Sequence, residues 1–226
     1  IDAQEIPCSY EKVLVDNGST EDRHHGVGNG WRLVRYEDNR GHIVGQNRCF
    51  ESAQGEWVLF VANDVRLHQH CLRGLWNSTV QTFPYASQIQ PLLVTPSGAV
   101  DQAGMDWKWP GYGISRKVKQ SGFVQIVPST CYLMRKEVWK NAKGFDETLE
   151  SSHEDVDMGL RLFSSKVVRV NSIATHLGNA TLKYQPSHTR AAFHRDRVYI
   201  IKKHYRGFNR LLRLAAVYLL DAIPRP

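Results

Sequence analysis

The sequence predicts an α/β fold: a mostly parallel sheet flanked by helices, followed by a helical extension at the carboxyl terminus. Three observations carry this. Trp57 to Ala62 is an unbroken apolar run, rich in aromatic and β-branched residues, opened by Gly55 and closed abruptly by Asn63-Asp64. A run so short reads as a strand buried on both faces. Glu11 to Asp16 reads as a second strand that also ends in a carboxylate. Between them lie a loop, a short strand and a helix-like stretch, so the order is that of a nucleotide-binding α/β half.

At 226 residues the chain can build one sizeable α/β domain, or one domain with an appendage. With 42% hydrophobic and 23% charged residues and no internal repeat, it has the composition of a soluble globular protein. Cys8, Cys49, Cys71 and Cys131 are scattered with no Cys-x-x-Cys pair. That argues against a zinc site and a disulfide framework, and predicts a reducing, cytoplasmic compartment. Asn-x-Ser/Thr triplets at Asn17, Asn77 and Asn179 carry little weight without a secretory signal. The formal charge of +7 sits entirely in residues 189–226, which hold nine Arg and Lys against two Asp; the remainder balances at 20 of each sign.

Residues 1–10 show no clear element. Glu11 to Asp16 is the first strand, and Asp16 to Asp22 is a turn-rich cluster. Arg32 to Tyr36 is a short strand. Asn39 to Ala53 is punctuated by Gly41 and Gly45 and then turns helix-like. The Trp57 strand follows, ending at Asp64. In an open α/β sheet ligands bind at the carboxyl ends of strands, so a carboxylate here can hold a divalent cation, although one after a strand can also simply cap or turn the chain.

Gln69 to Thr82 is helix-like, and Ile89 to Thr95 strand-like. Asp101 to Gly113 is a loop dense in Trp, Gly and Asp; its aromatics could stack on a sugar or nucleobase, or pack on one another. Val124 to Val127 and Thr130 to Met134 read as strand, with a short helix from Arg135 and then the turn Gly144-Phe145-Asp146-Glu147.

Four segments carry a resemblance. Val15-Asp-Asn-Gly-Ser-Thr20, the run from Asn39-x-Gly41 to Asn47, the run Leu59-Phe-Val-Ala-Asn-Asp64, and Glu154-Asp-Val-Asp157 with Arg161 stand in the order found in family 2 glycosyltransferases. The chain resembles their rhamnosyltransferase-like branch from about residue 5 to about residue 205. The resemblance implies a GT-A-like fold and transfer of a sugar from a nucleotide-sugar donor, UDP- or dTDP-linked, to a glycan or lipid-linked acceptor. It places Asp16, Asn17, Asn47, Asn63 and Asp64 at the donor. The family's Asp-x-Asp metal motif reads Ala62-Asn63-Asp64 here, leaving Asp64 as the direct ligand. The family's first strand and helix precede the Val-Asp-Asn-Gly segment, so the chain is expected to lack them.

Ser152 to Leu162 is the most informative stretch. Ser152 can cap a helix, and acids in a first turn favourably meet the helix dipole, so on its own the cluster need only stabilise that helix. Inverting transfer, however, needs a base for the acceptor hydroxyl and charge stabilisation for the leaving diphosphate. The resemblance gives the base role to Asp155, with Glu154, Asp157 and Arg161 orienting it or reaching acceptor and phosphates; Trp107, from the aromatic loop, is the candidate on the acceptor side. It also gives His176, after the Val167 to Val170 strand, to the metal beside Asp64. Such coordination favours Mn²⁺ or Mg²⁺.

Two domains are expected: a GT-A-like unit at 1–183 and basic amphipathic helices at 184–226. Ser187 to Tyr205 and Phe208 to Ile223 are the helices, broken at Gly207. Arg206, Arg210 and Arg213 share a face beside a Leu-rich surface, which suits either an anionic membrane surface on the cytoplasmic side or packing on the core. No nucleic-acid motif accompanies the charge. A homodimer could cover a sheet edge left open by the absent strand. The rival to an enzyme is a truncated, inactive GT-A-like domain that binds a membrane or a partner.

Overall fold

The computed structural model describes residues 4, 6, 8–19, 30–117, 119–150, 153–162, 166–178 and 186–222. Ser152, Asn179, residues 20–22 and most of 1–7 lie outside them, so the proposed cap and part of the turn cluster are not described.

Strands β1 (Lys12–Asn17) and β2 (Trp31–Tyr36) pair in parallel as a small sheet of their own. Helix α1 (His42–Ser52) follows, then β3 (Trp57–Val61), β4 (Val65–Leu67) and α2 (Cys71–Asn77). The predicted helix 69–82 is thus short and ends in a π-turn at Ser78–Thr82. Then come β5 (Ala86–Val94), β6 (Val100–Gln102), the hairpin β7 (Met105–Lys108) and β8 (Tyr112–Ser115), β9 (Gly122–Phe123), β10 (Cys131–Arg135) and α3 (Lys136–Asn141). Residues 124–127, expected as strand, form only a bridge from Ile126 to Met105. Helix α4 (Glu154–Arg161), β11 (Lys166–His176), α5 (Pro186–His204) and α6 (Gly207–Ala222) complete the chain.

The main sheet runs β3-β10-β5-β11-β4, with β6 on β5 and β9 on β11. It is mixed: β5 and β11 are parallel, and β10 runs antiparallel to both neighbours. Central β5 is buried along its whole length. Alternation sorts the other strands onto two cores. Val58, Tyr132 and Met134 face the α1, α3, α4 and α5 side, while Cys131 and Leu133 face α2.

Strand β3 was expected to be buried on both faces, but only Val58 is buried; the rest is half-buried. The reason is its place in the sheet. Among the described residues no strand pairs with its outer edge, and a cavity lined by both β1 and β3 separates the two sheets.

Helices α5 and α6 are part of the same core, since Val198, Ile200, Ile201 and Val217 join Trp107, Tyr132, Val156 and Met158 in one cluster. Gly159 lets α4 seat against the segment 125–126: a Cβ there would stand 2.7 Å from the Ile126 side chain. On the arginine face that runs into α6, Arg206 is exposed and Arg213 packs on the body. Arg213 Nη1 donates to the Pro110 carbonyl at 2.9 Å and its guanidinium covers the Tyr205 ring, so it ties the helix to the body, whereas Phe208, Leu211 and Leu219 face outward. No described helix is long and apolar enough to cross a membrane.

Candidate active site

The strand ends and α4 meet at one cavity. Asp16, Asn17, Asn63, Asp64, Glu154, Asp155 and His176 all line it, and it extends past His153 to Phe193, His194 and Tyr218 on the helical side. Asn47, Trp107, Asp157 and Arg161 do not line it.

At the donor end Asp16 is buried at the end of β1. Its carboxylate accepts the Ser19 N–H at 3.0 Å and pairs with Arg35 Nε at 3.2 Å. Asn17 serves the fold: Nδ2 donates to Asn39 Oδ1 (3.1 Å) and to the Gly41 carbonyl (2.8 Å), and Oδ1 accepts the Arg40 N–H (3.1 Å). Both amide protons are therefore used in docking the start of α1 on β1. Gly18 makes that approach possible, with φ +75° and no room for a Cβ, which would stand 2.3 Å from the Asp38 carbonyl carbon.

Asn47, expected at the donor, is a buried bracket instead. Its Nδ2 donates to the Phe145 carbonyl (3.0 Å) and Glu147 Oε1 (2.7 Å), and its Oδ1 accepts the Phe145 N–H (2.8 Å) and Trp139 Nε1–H (3.3 Å). The 144–147 turn that precedes α4 is thereby fastened to α1.

Asn63 is exposed at the cavity. Asp64 Oδ2 lies 3.2 Å from His176 Nε2. The backbone fixes this meeting, because the Leu177 N–H donates to the Asp64 carbonyl at 2.9 Å and β11 pairs with β4 up to His176–Val65. One carboxylate oxygen and one imidazole nitrogen so placed fit a divalent cation that takes its other ligands from phosphate and water. Among the described residues no three His, Cys, Asp or Glu side chains converge on a metal position, so such a cation would rest on this pair.

Helix α4 begins at Glu154, with His153 at its N-cap and no side-chain cap. Glu154 is fully buried. Its Oε1 accepts Gln46 Nε2–H (2.8 Å) and Ser129 Oγ–H (2.5 Å) and lies 3.2 Å from His42 Nε2, while Oε2 has no protein partner. Burial disfavours its charge, but the His42, Ser129 and backbone hydrogen bonds together hold the carboxyl below the usual range.

Asp155 goes the other way. Burial first, and the Glu154 charge second, push it well above the usual carboxylate range, against the backbone N–H groups that favour its ionised form. One of these is the Val156 N–H, at 2.6 Å from Oδ1.

Asp157 and Arg161 point to the supporting side. Asp157 is fully buried and binds Arg161 Nε (2.8 Å), Lys203 Nζ (2.8 Å) and His204 Nε2 (2.8 Å), fastening α4 to α5. Trp107, expected at the acceptor, is buried with its ring edge-on to His153 at 6.3 Å; Trp109, two residues on at the hairpin tip, is the exposed one. Trp107 lies within β7 on its core-facing side, whereas Trp109 lies past the end of β7 in the turn, where the alternation of the strand no longer places it.

Sequence reasoning missed His42, Gln46 and Ser129 around Glu154, and Asp101, whose Oδ2 lies 2.7 Å from His176 Nδ1. These residues lie 75 to 112 positions from their partners or are of common types, and no local spacing announces them.

Comparison with known proteins follows the same lines. A sequence profile described as Glycosyl transferase family 2 matches residues 3–141. Over 172 residues the chain is 27% identical to the O-antigen biosynthesis protein RfbC of Myxococcus xanthus, a match that takes in 68% of this chain and 13% of that protein. Two solved structures share the fold at low identity. GalNAc-T7, crystallised with UDP, GalNAc and Mn²⁺, superposes with a TM-score of 0.71 at 14% identity, over 95% of this chain and 45% of that one. TarS 1–349 of S. aureus, in complex with UDP, gives 0.60 at 17% identity, over 96% of this chain and 64% of that one.

Proposed function

The chain belongs to glycosyl transferase family 2, and from its site we propose that it moves a sugar from a UDP- or dTDP-linked donor to a glycan or lipid-linked acceptor with inversion. The observation that carries the reading is that the Asp64–His176 pair and Asp155 open into one cavity. The relatives support the donor class, since two proteins of the same fold were crystallised with UDP, one of them also with Mn²⁺.

In this reading Asp64 and His176 would hold a divalent cation, which would supply charge stabilisation for the departing diphosphate. Asp16 and Asn63 border the donor. Asp155 takes the proton of the acceptor hydroxyl as its oxygen bonds to the anomeric carbon and the bond from that carbon to the diphosphate oxygen breaks. A carboxylate with a raised pKa is the better base, because proton transfer is most effective when the pKa lies near the working pH. Glu154 keeps its charge beside Asp155 and so keeps that pKa up. Asp157 holds α4 in place from behind.

The test is calorimetric titration with UDP and with dTDP, each with and without Mn²⁺, on the wild type and Asp155→Asn, followed by transfer assays with the donor sugar of whichever nucleotide binds. Metal-dependent nucleotide binding in both proteins, with transfer reduced by about 10²–10⁴-fold in Asp155→Asn, is expected. Full transfer by Asp155→Asn overturns the base assignment. A folded wild type that binds neither nucleotide overturns the donor assignment.

A further inference from the structure

Two carboxylates flank one imidazole. His176 Nδ1 lies 2.7 Å from Asp101 Oδ2 and Nε2 lies 3.2 Å from Asp64 Oδ2. We propose that Asp101 is a positioning residue that holds the Nδ1–H of His176 and so presents the bare Nε2 to the cation beside Asp64; this rests on the reading of Asp64 and His176 as the metal-holding pair.

The proton follows from the distances. A carboxylate only accepts, so a 2.7 Å contact to Nδ1 requires a proton on Nδ1. With the Nδ1 proton held by Asp101, Nε2 is the nitrogen left to give its lone pair to a cation placed between it and Asp64 Oδ2; with no cation there, the 3.2 Å contact is one that an Nε2–H would make. The ring is fixed as well as the tautomer, since His176 is buried.

The sheet explains how the pair meets. Asp101 sits on β6, whose neighbours Val100 and Gln102 pair with Val94 and Leu93 of β5. His176 ends β11, whose Thr175 pairs with the same Val94. The two side chains thus come from strands on opposite edges of the carboxyl-terminal half of β5 and meet at its end. Asp101 is held in turn by Lys117, whose Nζ donates to its backbone carbonyl and lies 3.6 Å from Oδ1. A carboxylate behind a metal-bound histidine orients the ring and raises its basicity, and its loss typically weakens metal binding by about 10–100-fold.

The experiment reads Mn²⁺ binding directly, from the electron paramagnetic resonance signal of free Mn²⁺ in the presence of UDP, for the wild type, Asp101→Asn, Asp101→Ala and His176→Asn. The expected result is a loss of affinity of about 10–100-fold in both Asp101 variants, with unchanged melting temperature and unchanged metal-free UDP binding. His176→Asn losing affinity while both Asp101 variants keep the wild-type value overturns the role of Asp101 alone. His176→Asn binding like the wild type, or a wild type that binds no Mn²⁺, overturns the metal-holding pair and the proposal with it. Nitrogen-15 spectra of the wild-type imidazole, recorded with UDP and diamagnetic Mg²⁺, give a second readout that needs no variant to fold: an Nδ1 that keeps its proton while Nε2 has none supports the proposal, and an Nε2 that keeps its proton overturns it.

Discussion

Glu154 and Asp155 are neighbours in the first turn of one helix, both buried, and their carboxyl groups are displaced in opposite directions. Hydrogen bonds from His42 and Ser129 outweigh burial at Glu154; burial and the Glu154 charge outweigh the backbone N–H groups at Asp155. One acid is kept charged so that the other is a stronger base. In the proposed reaction only ionised Asp155 accepts a proton, so kcat/KM falls as pH drops below its raised pKa. Replacing Glu154 by Gln removes the neighbouring negative charge, lowers the Asp155 pKa and moves the acidic limb of the pH profile to lower pH. An acidic limb that stays in place in Glu154→Gln refutes the coupling.

Asn47 gives a prediction of a different kind. Its side chain satisfies the Phe145 N–H and carbonyl and the Trp139 indole in a buried setting. Asn47→Ala strands these groups without a partner, and each costs about 1–3 kcal/mol when left so. Urea unfolding is expected to show a loss of about 3 kcal/mol or more, since three groups are stranded. Calorimetry on the folded fraction is expected to show nucleotide affinity close to that of the wild type. A large affinity loss with unchanged stability would return Asn47 to the donor site.

That contrast marks where the sequence was legible. Strand ends with carboxylates, at Asp16 and Asp64, and the acidic run from Glu154 can be read because their spacing is local and the period of a strand or helix places them. The α/β class followed from the same local signals. Asn17 and Asn47 carry the same local signature, yet their amides are turned to Gly41 and Phe145, because an amide with two donors and an acceptor serves a backbone bracket as well as a ligand. Trp107 and Trp109 differ by two positions and one hairpin turn, which composition does not resolve. Asp101 and Lys203 reach their partners only through the sheet and through α5, so nothing near them in the chain points to His176 or Asp157.

Asp157 is expected to report on stability before chemistry. Burial alone would raise its pKa, but the hydrogen bond from His204 and the charges of Arg161 and Lys203 hold it lowered. A carboxyl of this kind contributes stability that is fully present above its unfolded value, about 3.9, and is lost as pH falls through the lower folded value. Asp157→Asn leaves Lys203 and Arg161 short of a buried counter-charge and is expected to cost about 3 kcal/mol in urea unfolding at pH 7. As pH falls through the lowered folded value the difference from the wild type shrinks, because both then carry a neutral group. A difference that persists undiminished in acid would mean that the carboxylate charge is not what fastens α4 to α5.

The two hairpin tryptophans separate fold from ligand contact within one turn. Trp107 is 6% exposed and sits in the main core with Tyr132, Val156 and Ile201, whereas Trp109 is 60% exposed. Trp107→Ala opens a cavity that its neighbours cannot fill and is expected to cost about 3–5 kcal/mol. Trp109→Ala removes an exposed ring and is expected to change stability by less than about 0.5 kcal/mol. If the hairpin tip takes part in acceptor binding, its effect appears in the acceptor KM, with kcat and donor binding unchanged, since Trp109 belongs to the separate β7-β8 hairpin and does not line the cavity that holds Asp64 and His176. Stacking of a ring on a sugar or other apolar face is worth about 1 kcal/mol, which corresponds to about a fivefold rise in acceptor KM. An unchanged KM in Trp109→Ala would leave the helical side of the cavity, at His153, Phe193 and Tyr218, as the surface that meets the acceptor.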